Sequence, residues 1–192
     1  MDKRYVSLGV VCGAVVGNVP VPLEVAIFVL NGDMQPLDKY SVPVIPSDYY
    51  DLSMVSMHMP KHLSNALEQE GLWSEMQVNS LRVEAADRII AEKIERHCEL
   101  DKFEVVVLCD RLEPTRDAMY RFYPTAAKKL DRRNASWLEV EPLKMFVETE
   151  KIYAGVPWGA RAEVRAKMSA QYALQMRRTL SAGAKTLIAA QA

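Results

Sequence analysis

The 192-residue chain has only three cysteines, three histidines and eight glycines, and each scarcity narrows what it can be. Cys12, Cys98 and Cys109 are odd in number, far apart and without CxxC spacing, which excludes a disulfide framework or a zinc ribbon. Two of them fall in apolar, strand-like runs, where a thiol behaves as a small hydrophobe, and a reducing compartment fits. His58, His62 and His97 show no paired metal spacing, and HExxH is absent. Gly9, Gly13 and Gly17 recur every four residues without the helix that a dinucleotide fingerprint requires. A Walker loop and a Gly-x-Ser-x-Gly elbow are missing too. No run of 18 uninterrupted apolar residues exists, so no membrane span is predicted. Lys3 and Arg4 before an apolar stretch resemble the start of a signal peptide. Pro20, Pro22, Glu24 and a second apolar strand follow at once, which favours two buried strands and a cytoplasmic location.

Charge of one sign is also lacking overall: 24 Lys/Arg face 25 Asp/Glu, for a net charge of −1. The whole molecule therefore does not advertise a polyanion partner. The distribution is less even. Seven Lys/Arg face three Asp/Glu between Arg111 and Arg133, and six Lys/Arg face Glu163 alone from Gly159 onward. Such clusters make either a local phosphate-binding face or two solvated helix surfaces, and both readings stay open.

What is present is a clear alternation of elements. Tyr5–Cys12, Leu23–Leu30 and about Leu37–Val44 read as three strands, the last two joined by the turn residues Asn31-Gly32-Asp33. Short connections make these an antiparallel meander. Met54–Met59 reads as a Met-rich connection. Pro60 to Leu72 places Leu63, Ala66 and Leu67 on one helical face, ending near Gly71. A second helix runs from Asn79 or Ser80 to near Leu100. Phe103–Cys109 is the strongest strand, a continuous apolar run that suits a buried position. A helix from Pro114 to Tyr123 follows, then a strand at Trp137–Val140, a short helix at Pro142–Thr149 and a long one from Ala160 to Leu180 or beyond. The order gives an α/β fold with a mixed sheet.

Residues Val6–Val29, VSLGVVCGAVVGNVPVPLEVAIFV, carry a family resemblance. Leu23-Glu24-Val25-Ala26 resembles the Ile-Glu-Ile-Ala second strand of the DEDD-type 3′–5′ exonucleases, most closely the oligoribonuclease branch. Gly17 matches the glycine of the family's Asp-x-Glu-x-Thr-Gly-Leu motif, whose two acids are replaced by Cys12 and Ala14. Met57 falls at a family Trp, while His62 and Leu67 match a later His and Leu. Beyond Cys109-Asp110-Arg111 the next metal-ligand position falls on Thr115, with Glu113 and Asp117 pointing elsewhere at helical spacing. Leu138–Lys144 resembles the family's Leu-Asp-Val-Ser-Thr-Leu-Lys segment. Trp158–Glu163 fits its His-x-Ala-x-x-Asp motif, with Trp158 for the general base and Glu163 for the ligand.

The resemblance implies a ribonuclease H-like fold: a five-stranded mixed sheet flanked by helices, one domain over residues 1–192, and a homodimer. It also implies two divalent ions about 4 Å apart, held by several carboxylates. Cys12, Ala14 and Thr115 supply none, Trp158 cannot take a proton from water, and Glu163 is the one acid left. Asp2 and Glu24, the nearest acids to Cys12 in sequence, are terminal and on a different strand. The expectation is a pseudoenzyme without metal or cofactor, serving as a structural subunit of a larger assembly with RNA contact. One alternative is a free RNA- or oligonucleotide-binding pseudoenzyme. Another is an active exoribonuclease with displaced ligands. Nucleic-acid contact is expected at His62, Arg132, Arg133, Arg177 and Arg178, with Tyr120, Tyr123, Trp137 and Trp158 available to stack bases. The competing reading makes those aromatics core anchors.

Overall fold

A computed structural model of the chain describes residues 2–16, 19–45, 59–99, 102–140 and 161–190. Strands β1 (Asp2–Val16), β2 (Val19–Leu30) and β3 (Pro36–Ile45) form the expected antiparallel meander. Asn31 makes the β2–β3 turn by accepting the Asp33 and Gln35 N–H groups on its side-chain oxygen, at 3.0 and 2.8 Å. Beyond the meander lie α1 (Lys61–Gln69), α2 (Leu72–Asn79), β4 (Leu81–Arg82) and α3 (Val83–His97). They are followed by β5 (Phe103–Cys109), α4 (Leu112–Phe122), α5 (Pro124–Asp131), β6 (Ser136–Glu139) and α6 (Ala162–Ala190).

The sheet has six strands in the order β4-β3-β2-β1-β5-β6, with β5 parallel to both β1 and β6. The apolar run of β5 thus takes an interior position. The expected count of five is corrected by β4, whose two residues pair in parallel with Val44 and Ile45. Leu81 and Arg82 were read as helix because the apolar spacing continues smoothly into α3; pairing with β3 holds them extended instead. β4 covers only the end of β3, and Pro36 and Pro43 suit a strand whose outer edge is otherwise unpaired within the sheet.

Two further helices differ from the sequence reading. The first helix ends near Gly71 as expected, but Gly71 (φ 75) then starts α2, a helix the sequence reading does not contain. Directly after the expected helix to Tyr123, Pro124 opens α5, a place where its missing N–H costs nothing. Asp87 of α3 completes that helix start: its carboxylate oxygens accept the Thr125 and Ala126 N–H groups at 2.9 and 2.8 Å. A buried acid at a helix N-terminus satisfies both partners. The expected helix at Pro142–Thr149 and most of the Met-rich connection lie outside the described residues.

Each sheet face buries its own core. Val6, Leu8, Val25, Ile27 and Val29 pack with Ile90, Ile94, Met119, Tyr123 and Leu130 of α3–α5 and the turn between α4 and α5. On the other face Val11, Val21, Leu23 and Ala26 meet Leu67, Leu72, Met76, Ala162 and Ala166 of α1, α2 and α6. Farther along α6, Met168 and Tyr172 cover Leu30, Met34 and Leu108. Among the described residues no helix is long and apolar enough to cross a membrane.

Candidate functional site

The first turn of α6 lies directly on β1. A Cβ placed on Gly9 would sit 2.0 Å from the Ala162 carbonyl oxygen, so glycine alone permits this approach. Ala162 and Ala166 present small side chains, and the Ser7 hydroxyl donates to the Ala166 carbonyl at 2.6 Å. These contacts seat the helix over the strand that carries Cys12.

Two acids flank that seat. Glu24, opposite Val11 on β2, is 1% exposed. One of its oxygens accepts Arg161 Nε and Nη2 at 2.9 and 2.7 Å, and the other accepts the Ala162 N–H at 2.6 Å. A carboxylate from a different strand therefore caps α6 and faces the positive end of its dipole. Arg161 also donates to Glu75 at 2.6 Å and to the Glu70 carbonyl at 3.1 Å, joining β2, α2 and the α1–α2 turn. Burial alone would lower the Arg161 pKa, but the hydrogen bonds and charges of Glu24 and Glu75 raise it above its ordinary value.

On the other side Asp110, immediately after β5, accepts Arg165 Nη1 at 2.5 Å and its neighbour's Arg111 N–H at 3.0 Å. Cys12 is half-buried, at the β1 irregularity opposite Pro22. Burial pushes its thiol up to about 11, with Arg165 pulling weakly the other way. Such a thiol is a poor nucleophile.

The residues expected to carry chemistry stand on separate elements where they are described. Ala14 lies near the end of β1, and Trp158 falls outside the described residues. Thr115 is buried in the first turn of α4, with Glu113 and Asp117 exposed on either side of it. Glu163 is exposed at the start of α6 and pairs loosely with Lys39 at 3.7 Å. The reading that no acid lies near Cys12 is corrected. Glu24 sits on the adjacent strand, one ladder pair away, because antiparallel pairing returns β2 alongside β1. The signal was a lone Glu inside an otherwise apolar strand, a residue type that is seldom buried without a partner.

The expected nucleic-acid contacts fall on several elements. His62 is exposed on α1, Arg132 is exposed just after α5, and Arg178 is exposed on α6. Arg133 donates to the Cys98 carbonyl and, at 2.7 Å, to the Lys129 carbonyl, closing the ends of α3 and α5. Arg177 donates to the Gly32 carbonyl beside Asp33. Of the aromatics, Tyr123 is fully buried and Trp137 packs against the core, whereas Tyr120 is 40% exposed.

The described residues do not fit the pair of divalent ions that the resemblance implies. Glu24 and Asp110 already spend their oxygens on guanidinium and backbone donors, and among the described residues no three His, Cys, Asp or Glu side chains gather as ligands. Guanidinium charge neutralises the two acids instead.

No family model and no curated protein matches the sequence. Solved structures do match. The zinc-bound exonuclease I–single-stranded DNA complex of E. coli superposes on 93% of this chain with a TM-score of 0.52 at 9% identity. A full-length 3′-exonuclease matches 93% of the chain and 83% of its own, with a TM-score of 0.51 at 14% identity. E. coli exonuclease I with a dT13 oligonucleotide gives a TM-score of 0.51 at 8% identity over 93% of the chain. The chain spans about two fifths of the length of the exonuclease I structures it matches, 41% in the first case. The expectation that the chain is not an enzyme is overturned here: its structural neighbours are exonucleases, and nothing among the described residues shows inactivity. At 8–14% identity the likeness shows the fold alone and does not single out the oligoribonuclease branch. The chain carries the mixed α/β, ribonuclease H-like fold of the exonucleases.

Proposed function

We propose that this chain engages single-stranded nucleic acid on an exonuclease scaffold, as a subunit of a larger assembly in which RNA is the expected strand. One observation carries the reading: the fold extends over 93% of the chain onto an exonuclease I that holds a dT13 oligonucleotide. The charge pattern supports it, because no acid follows Glu163 while Arg177 and Arg178 stand exposed on α6. The assembly role rests on the apolar character of Cys12 and Ala14 where the resemblance places acids. A single domain over residues 1–192 and self-association complete the proposal, both drawn from the resemblance. Sedimentation at micromolar concentration is expected to give twice the 21.7 kDa chain mass, and a monomer would remove the dimer from the reading.

The test is equilibrium binding of labelled RNA and DNA, about two to twenty nucleotides long, in Mg²⁺ and in EDTA. Product length is followed in the same samples, so cleavage is measured alongside binding. Binding that persists in EDTA and falls steeply with salt is the expected result, since Lys and Arg contacts release counterions. Charge reversal at the exposed Arg132 and Arg178 should weaken it. Absence of binding at every length would sink the reading.

A further inference from the structure

We propose that Tyr120 is a stacking platform for a base of a single-stranded oligonucleotide, whose phosphates follow the cations around it on α4 and α5. The inference rests on the nucleic-acid reading above and places the strand on a surface of its own. Large aromatic side chains are normally drawn into a core, and Tyr123, three residues away, is fully buried. Tyr120 instead keeps 40% of its surface open. Its hydroxyl donates to Asp131 of α5, which fixes the ring across the groove between the two helices. The Arg116 guanidinium, one helical turn back, stands 5.5 Å from the ring centroid. An aromatic ring tethered at its tip, with a guanidinium over the ring, is suited to take a base against the surface it leaves exposed.

The charges around the ring suit phosphates. Arg116, Arg121, Lys128 and Arg132 are all exposed on α4, on α5 or just after it. Three acids share this surface: Asp131, still charged while it accepts the Tyr120 hydroxyl, and exposed Glu113 and Asp117 near the start of α4, so four cations face three acids. Stacking tolerates any base, so the site is expected to discriminate little between sequences.

Fluorescence anisotropy on the full chain tests this, using labelled single-stranded oligonucleotides and the same oligonucleotides carrying abasic positions. Tyr120→Ala should weaken binding about tenfold or more, in line with the alanine-scanning cost of a stacked base. Tyr120→Phe, which keeps the ring but loses its tie to Asp131, should bind more tightly than Tyr120→Ala, and melting curves should confirm that both variants fold. Abasic oligonucleotides should bind more weakly to the parent and lose the response to Tyr120→Ala, while the salt dependence stays the same. If Tyr120→Ala binds as tightly as the parent, the platform is wrong while the nucleic-acid reading stands. If the parent binds no oligonucleotide, both are overturned.

Discussion

Glu24 and Arg161, 137 residues apart in sequence, form a buried ion pair in which two guanidinium nitrogens meet a single carboxylate oxygen at 2.9 and 2.7 Å. The second oxygen holds the first N–H of α6. The contact is thus at once a charge pair, a helix cap and the point where α6 docks on the meander.

Its removal should be unequal on the two sides. Arg161→Ala strands a carboxylate that is almost wholly enclosed, at a cost of about 3–5 kcal/mol. Glu24→Gln retains an acceptor for the Ala162 N–H and introduces no buried charge of its own. Urea unfolding should therefore show the larger loss for Arg161→Ala, and adding Glu24→Gln to it should recover stability. Equal, additive losses would mean that the pair is not coupled.

Gly9→Ala should destabilise the fold although it adds one methyl group. The clash is with the Ala162 backbone carbonyl rather than with a flexible side-chain tip, so α6 has to move. Overpacking of this kind costs about 1–3 kcal/mol, which a shift in the denaturation midpoint would register. Gly32→Ala, whose Cβ would meet only ordinary contacts at 3.5 Å, supplies the comparison for loss of a glycine.

Acid should loosen the β3–α3 contact. Burial alone would raise the Asp38 pKa, but hydrogen bonds and charge from Lys93, with His97 and the Lys39 N–H, bring it below its ordinary value of 3.8. A carboxyl with a depressed folded pKa adds stability above its unfolded value, and loses that contribution as the pH falls through the folded one. Asp38→Asn should therefore be less stable than the parent by a constant amount at neutral pH, with the difference shrinking below about pH 4 as the parent loses that contribution. An unchanged acid slope in the variant would show that Asp38 contributes nothing to it.

The thiols should be inert in the native protein. Burial pushes Cys98 up to about 11 and Cys109 up to about 12, the latter helped by Asp110 and Glu139. Thiolate is the reactive form, so iodoacetamide at pH 8 should label all three cysteines slowly until the chain is unfolded. Rapid native labelling of Cys12 would mark the β1–β2 end as open.

Much of the fold was legible in the sequence, for local reasons. β5 appears as a run of Phe103, Val105, Val106, Val107 and Leu108, and the meander follows from two β-rich runs around an Asx turn. What periodicity missed depended on neighbours. β4 exists because β3 offers an edge, and α5 begins at Pro124 because Asp87 stands ready to cap it.

The site divides in the same way. The sequence by itself determined which chemical groups the chain owns: no acid at Cys12 or Ala14, a lone Glu24 within an apolar strand, and a basic, aromatic stretch around Tyr120. Tertiary structure alone decided that Glu24 and Asp110 flank one helix start, that Arg161 and Arg165 neutralise them, and that Tyr120 faces outward while Tyr123 is core. Strand and helix periodicity are written within a few residues of chain. Charge pairing and burial are set by which distant segments come within about 3–4 Å, and packing fixes that distance.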